Sequence, residues 1–275
     1  MRSLLTALAF ALALPSSALA QGAGVTVLEA GAAPRAPLRH RFQAGQTQAI
    51  RLRVQTEMRM SAGEQSQTVP MPILRLDLRF GPTTVANARL RYPYEVTDVG
   101  TSGGEDPALN ERVQTQIRGL VGARGIAEVD ARGDVVEFTY ELPEGASPEL
   151  ESQSRMLRDS LTRMLPRFPE EAVGVGARWR IVDDLALPST TVRVGTTYRL
   201  VSRDGDRIEL EVQTAILDED AGNADVEVSG SGRLRFEIGA LRMIGRVQTV
   251  ASASMRGPRG AMRMRIRTRM QVAPN

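Results

Sequence analysis

Residues 50–60 read IRLRVQTEMRM, and how this stretch is read decides the fold. Ile50, Leu52, Val54, Thr56, Met58 and Met60 fall on one side of an extended chain, and Arg51, Arg53, Gln55, Glu57 and Arg59 on the other. A helix would scatter both sets around its axis, so the stretch is a β-strand with one apolar and one wet face. The same period of two returns in Leu74, Leu76, Leu78 and Phe80 against Arg75, Asp77 and Arg79, and in Ala86, Ala88, Leu90, Tyr92, Tyr94 and Val96. Farther out it runs through Val192 to Leu200, Ile208 to Ile216 and Val226 to Ile238. It closes with Met262, Met264, Ile266, Thr268, Met270 and Val272, opposed by Arg263, Arg265, Arg267 and Arg269. Residues 241–255 alternate less regularly. Pro70, Pro72 and Pro93 lack a ladder donor and belong at strand ends, edges or bulges.

Two stretches depart from this period. Behind Pro107, Leu109, Val113, Ile117 and Leu120 recur at helical spacing. From 147 to 168, SPELESQSRMLRDSLTRMLPRF places Leu150, Leu157, Leu161, Met164, Leu165 and Phe168 on one stripe. Ser147 serves as its N-cap, Pro148 suits the first helical position, and Glu149 and Glu151 favour the positive end of the helix dipole. Pro166 and Pro169 end it. Hairpins turn at Ala131-Arg132-Gly133 and at Asp204-Gly205, where glycine supplies the positive φ.

The 275 residues, 42% of them hydrophobic, are enough for a substantial core. Residues 1–20 read as a secretory signal peptide, with Arg2 at the start, an apolar stretch from Leu4 to Leu14 and Ala18-Leu19-Ala20 before Gln21. A periplasmic or extracellular location after cleavage near Ala20 follows. Residues 21–37 are small and proline-bearing and read as a flexible leader, leaving 38–275 as a single β-rich domain with a helical insertion near 147–168. There is no Cys and hence no disulfide. Arginine is the sole strongly basic residue, and 35 basic against 32 acidic residues is too even a balance to imply nucleic acid. Acidic residues stop at Glu237, while arginines continue to Arg269, which gives the last strands a one-sign surface.

About ten strands at ~4.8 Å each would make a sheet roughly 40 Å wide with one face apolar throughout. A helix is ~10 Å across, and two of them leave much of that face bare. The expected fold is therefore mainly β with α: a large curled antiparallel sheet, open or half-barrel, with the central helix and a shorter helix packed on its concave face. Pairing 50–60 with 262–272 would set Arg51, Arg53 and Arg59 beside Arg263 to Arg269 on the wet face. The charge pattern speaks against closing the sheet through that pair and favours an open or incompletely closed sheet.

The chemistry-bearing residues are few. His40 is the only His, with no G-x-S-x-G elbow, and reads as a surface residue. Asp183-Asp184 and Glu170-Glu171 read as exposed loop acids. Asp218, Asp220, Asn223 and Asp225 carry oxygen ligands, but Gly222 occupies a ligand position and the distal Glu is missing, so they read as a solvated turn. Met58 with Met60 and Met262 with Met264 fill the apolar stripe and, without His or Cys nearby, read as a plastic lining rather than a copper site. Trp179 reads as a core anchor. No catalytic residue, cofactor or metal is expected, and the chain is read as a non-enzyme.

The hairpin IAEVDARGDV at 126–135, the Leu/Met helix after it, FPEEAVGVGARWRI at 168–181 and the strands around them resemble a family of uncharacterised secreted bacterial β proteins. Their order is also similar, more distantly, to periplasmic lipoprotein-carrier half-barrels. The second resemblance implies a concave apolar face that receives acyl chains beneath a helical lid. Leu157, Leu161, Met164 and Leu165 would then be lid residues, with Met58, Met60, Met262 and Met264 as lining. The expected partner is a lipid or other apolar ligand, and Arg263, Arg265, Arg267 and Arg269 form a candidate surface for an anionic membrane. The alternative is a structural or interaction protein of the cell envelope with a filled core.

Overall fold

The computed structural model describes residues 24–41, 43–62, 65–146, 150–151, 165–186, 191–217, 225–240, 243–257 and 260–275. The strands are β1 (Val25–Glu29), β2 (Gln48–Ala62), β3 (Gln65–Pro70), β4 (Ile73–Phe80), β5 (Thr84–Ala86) and β6 (Arg89–Ser102), then β7 (Arg124–Asp130) and β8 (Val135–Phe138). The second half comprises β9 (Arg178–Ala186), β10 (Thr191–Asp204), β11 (Arg207–Ile216), β12 (Asp225–Glu237), β13 (Met243–Gly257) and β14 (Gly260–Pro274). Among the described residues there is one short complete helix, α1 (Pro107–Arg118). Asp106 caps it by accepting from the Ala108 and Leu109 amides, and Pro107 stands at its start. Val113 and Ile117 are buried, and the Gln114 side chain ties the helix to β6, accepting from the Thr101 amide at 2.7 Å. Of the expected central helix, Leu150 and Glu151 are helical; 147–149 and 152–164 lie outside the described residues.

All fourteen strands belong to one sheet, whose path runs β1-β9-β10-β11-β12-β13-β14-β2-β4-β6-β7-β8, with β3 beside β2 and β5 beside β6. The sheet is antiparallel and open, ending at β1 and β8. It is also curled. Trp179 on β9 and Val129 on β7, near opposite ends of the path, lie in one buried cluster. Residues 36–41 cross that end: Ala36 bridges Val173, the His40 amide donates to Ala131 O, and the Arg41 amide donates to Ile238 O. We call this end, where β2 begins and β14 finishes, the lower end; the β2–β3 and β13–β14 turns mark the upper end.

Several expectations change here. The opening does not fall between β2 and β14, which pair continuously from Ala62↔Met262 to Ile50↔Pro274 and put Arg59 directly opposite Arg265. One like-charge pair costs less than about 1 kcal/mol. Leaving two 15-residue strands with bare backbone edges and unpaired apolar faces would cost far more. Arg267 opposite Glu57 eases the juxtaposition. Residues 241–255 supply β13, a regular strand whose inward residues are Gly245, Val247, Thr249, Ala251 and Ala253. Its alternation is muted because small residues occupy both faces. The leader stretch contains β1, which covers the β9 edge from Val25↔Ile181 to Glu29↔Arg178. β3 adds a short strand beside the upper part of β2, and the strand read through Ala86 and Ala88 is broken by a turn, with Asn87 and Ala88 at positive φ. Pro93 sits on β6 where β4 hands over to β5, and its carbonyl takes the Gly81 amide.

Candidate functional site

The lower end of the inner face is filled. Trp179, Leu200 and Leu210 are 0% exposed, and Phe168 packs between His40, Trp179 and Phe236. The Trp179 indole donates to Arg167 O at 2.9 Å and stacks on Tyr198 with ring centroids 5.7 Å apart. His40 is not a surface residue. The crossing segment carries it into this cluster, 4.8 Å from the Phe168 ring. Burial lowers its pKa to about 4, against a hydrogen bond to the Pro166 carbonyl and the field of Asp130, both of which favour the proton.

Half-way up the strands the inner face changes character. The register aligns Thr56, Thr268, Thr249, Gly230, Thr214 and Thr196 into one row across β2, β14, β13, β12, β11 and β10. Each of these residues occupies the inward slot of its strand. Thr196 and Thr214 approach at 3.4 Å between hydroxyls, and most of the row is half-buried. The threonines were visible one strand at a time, but their alignment depends on pairings that no single strand encodes.

Above the row stand two small apolar clusters apart from each other, one of which touches the main core through Val69. One consists of Met58 and Ile266 with Met60, Met264 and Val69 packed against them. The other consists of Val192, Val194 and Val228 with Ile216, Val226 and the floor residue Ala251 packed against them. Between them run Thr249, Ala251 and Ala253 of β13, half-buried, beside Gly230 of β12. The result is a floor of small side chains between two aliphatic walls. Lower down on the same strands, a Cβ on Gly232 would come 2.5 Å from Arg246 O, and one on Gly245 would come 2.5 Å from Leu234, so those positions need glycine.

The predicted lining is thus brought together in part. Met264 lies directly opposite Met60, and Ile266 opposite Met58, through the very pairing that the charge argument opposed. Met262 sits nearest the rim and is 44% exposed. Leu165 packs against the main core rather than against either small cluster; Leu157, Leu161 and Met164 lie outside the described residues. Arg263, Arg265, Arg267 and Arg269 project from the opposite, outer face, with Arg267 half-buried and the other three exposed.

Asp183 and Asp184 are on β9 rather than in a loop, and they face opposite ways. Asp183 takes an inward slot opposite Val194, and its 11%-exposed carboxylate receives Arg167 at 2.9 and 3.2 Å. Asp184 is exposed, 3.9 Å from Arg193. Glu170 and Glu171 are both exposed. Of the candidate oxygen ligands, residues 218–224 lie outside the described residues and Asp225 opens β12. Among the described residues no group of three or more His, Asp or Glu side chains is placed to hold a metal ion. No protein-family model and no curated protein matches the chain.

Proposed function

We propose that this is a secreted or periplasmic, non-enzymatic protein that binds an acyl chain or another flexible apolar ligand along the upper inner face of its sheet. The observation that carries the reading is the half-buried floor of Thr249, Ala251, Ala253 and Gly230 between the Met58–Ile266 and Val192–Val228 clusters. Walls of Met, Val and Ile suit a flexible chain better than a rigid ring, because unbranched Met side chains repack around whatever lies between them. The threonine row supplies hydroxyls at the lower limit of the floor, where a polar end group would find hydrogen-bond partners.

The protein purified from its secreting host is extracted with organic solvent and weighed by native mass spectrometry. Co-purified lipid, displaced by an apolar dye, supports the proposal. Ala251→Trp, which fills the floor, is expected to weaken dye binding at least ~10-fold, by the loss of roughly 1.4 kcal/mol of contact. An empty protein that binds no dye would remove the proposal. That result would leave the alternative, an envelope structural or interaction protein, which the dense packing of the lower end favours.

A further inference from the structure

The outer face of the sheet has its own division. On both wings, arginine alternates with acid. Arg51 and Arg75 share Asp77, and Arg75 also reaches Asp98. Arg79 meets Glu95 and Arg89 meets Glu128. On the other wing Arg199 and Arg233 share Glu211, and Arg233 and Arg235 share Glu209. At the seam, where β14 joins β13 and β2, this alternation fails. The exposed side chains there include Arg53, Arg59, Arg246, Arg263, Arg265 and Arg269. Glu57 is the one acid on the outward slots of the three strands among the described residues, and it stands 4.0 Å from Arg267.

The other outward slots at the seam hold Gln55, Ser61, Gln248, Val250, Ser252, Ser254 and Gln271, so the arginines find mainly neutral neighbours. Arg263 reaches Ser254 and Arg269 reaches Gln248, each at 3.2 Å. Arg59 and Arg265 face each other across the ladder, and the Arg267 Nε is buried with no hydrogen-bond partner. A register that sets like charges opposite one another, while the wings set arginine beside acid, breaks a local rule of sheet design. Strand pairing and inner-face burial outweigh that cost within the fold, and an anion outside the chain would complement the charge that remains on the surface.

We infer that this outer seam docks on the phosphate-bearing surface of an anionic lipid bilayer. Side chains on one strand recur every ~7 Å and strands lie ~5 Å apart, so the seam presents a grid of guanidinium forks suited to many separate phosphates. No aromatic side chain occupies an outward slot of β2, β13 or β14 among the described residues, so the stacking platform of a single-stranded nucleic-acid site is missing. The same charges keep this face on the bilayer rather than in it: a membrane-spanning barrel needs an apolar outer belt, and the seam is arginine, serine and glutamine. The strands that carry the groove on their inner side would thereby lie against the membrane. The docking surface stands whether or not the groove binds a ligand.

The full chain is sedimented with phosphatidylcholine vesicles with and without phosphatidylglycerol. Binding is expected to require the anionic lipid and to fall steeply with added salt. Each arginine near the surface contributes about fivefold, so the triple variant Arg59→Gln, Arg265→Gln, Arg269→Gln should bind ~100-fold more weakly. Its thermal midpoint should hold or rise, because the facing charges are relieved. The charge-matched triple on the paired wing, Arg199→Gln, Arg233→Gln, Arg235→Gln, should keep most of the affinity. Equal losses in the two triples, or equal binding to vesicles of phosphatidylcholine alone, would overturn the inference. Tighter retention of duplex DNA or of inorganic polyphosphate than of anionic vesicles would overturn it too.

Discussion

The lower and upper halves of the inner face are built from the same strands but packed to different ends. Below the threonine row, β10, β11 and β12 present Leu200, Leu210 and Leu234 into one continuous core that also takes in Leu38 and Phe168 from the crossing segments. Above it, the same strands offer Val194, Ile216 and Val228, which form only a small satellite, and β13 offers alanine and threonine. Both halves satisfy the alternation of apolar and polar residues. Among the described residues, segments 36–41 and 165–177 cross at the lower end, and from there the Arg167 side chain reaches Asp183, opposite Val194. The continuous core and its crossing segments thus gather at one end of the inner face, and the other end carries two small clusters with a strip of small residues between them.

If that division is real, substitutions of similar kind should have very different consequences in the two halves. The largest effect belongs to Trp179→Ala. It removes a fully buried indole, leaves Arg167 O without its donor and opens a cavity beside Phe168, for an expected loss of about 3–5 kcal/mol in urea unfolding. Next comes acid. His40 is neutral in the fold with a pKa near 4, while the unfolded chain binds its proton near 6.5, so this contribution is complete above pH 6.5 and is lost as pH falls toward 4. The full difference is on the order of 3 kcal/mol. Because carboxylates titrate in the same window, the quantity to measure is the difference between wild-type and His40→Leu stability profiles, and parallel profiles would break the claim. The smallest effect belongs to the upper half. Met264→Ala should cost under ~1.5 kcal/mol, because the side chain is only partly buried, while it should alter the choice or affinity of an apolar ligand. A loss for Met264→Ala as large as for Trp179→Ala would mean that the upper half is core after all.

The parts legible in the sequence are those with strong contrast between neighbouring residues. IRLRVQTEMRM and MRMRIRTRM declared themselves as strands because large apolar and charged side chains alternate, and α1 did so through Leu109, Val113 and Ile117. β13 stayed faint because Ala251 and Ala253 differ little in polarity from Ser252 and Ser254. β1 was hidden by its five-residue length and proline-bearing surroundings. The Met58, Met60, Met262 and Met264 lining was legible as two separate pairs, whereas the wrong inference concerned how the pairs meet. Charge on the outer face was given more weight than backbone pairing and apolar burial on the inner one, and the magnitudes run the other way. Asp183 was misplaced for a related reason: its neighbours read as a loop, and only the β9–β10 register turns it inward toward Arg167.

By itself, then, the sequence determined a mainly β chain, the two faces of most of its strands, the position of α1, the methionine pairs on the apolar faces of β2 and β14 and the arginine-rich final strand. These follow from local periodicity, which each strand carries within itself. Tertiary structure alone decided that β14 closes on β2, that the curl brings β9 and β7 onto one core, that His40 is buried, and that threonines from five strands stand in one row with Gly230. Those are properties of register and of connections between residues far apart in the chain. A one-residue slip in any pairing would turn a strand's faces over, and what selects the register is the summed burial of the whole sheet, which no single stretch contains.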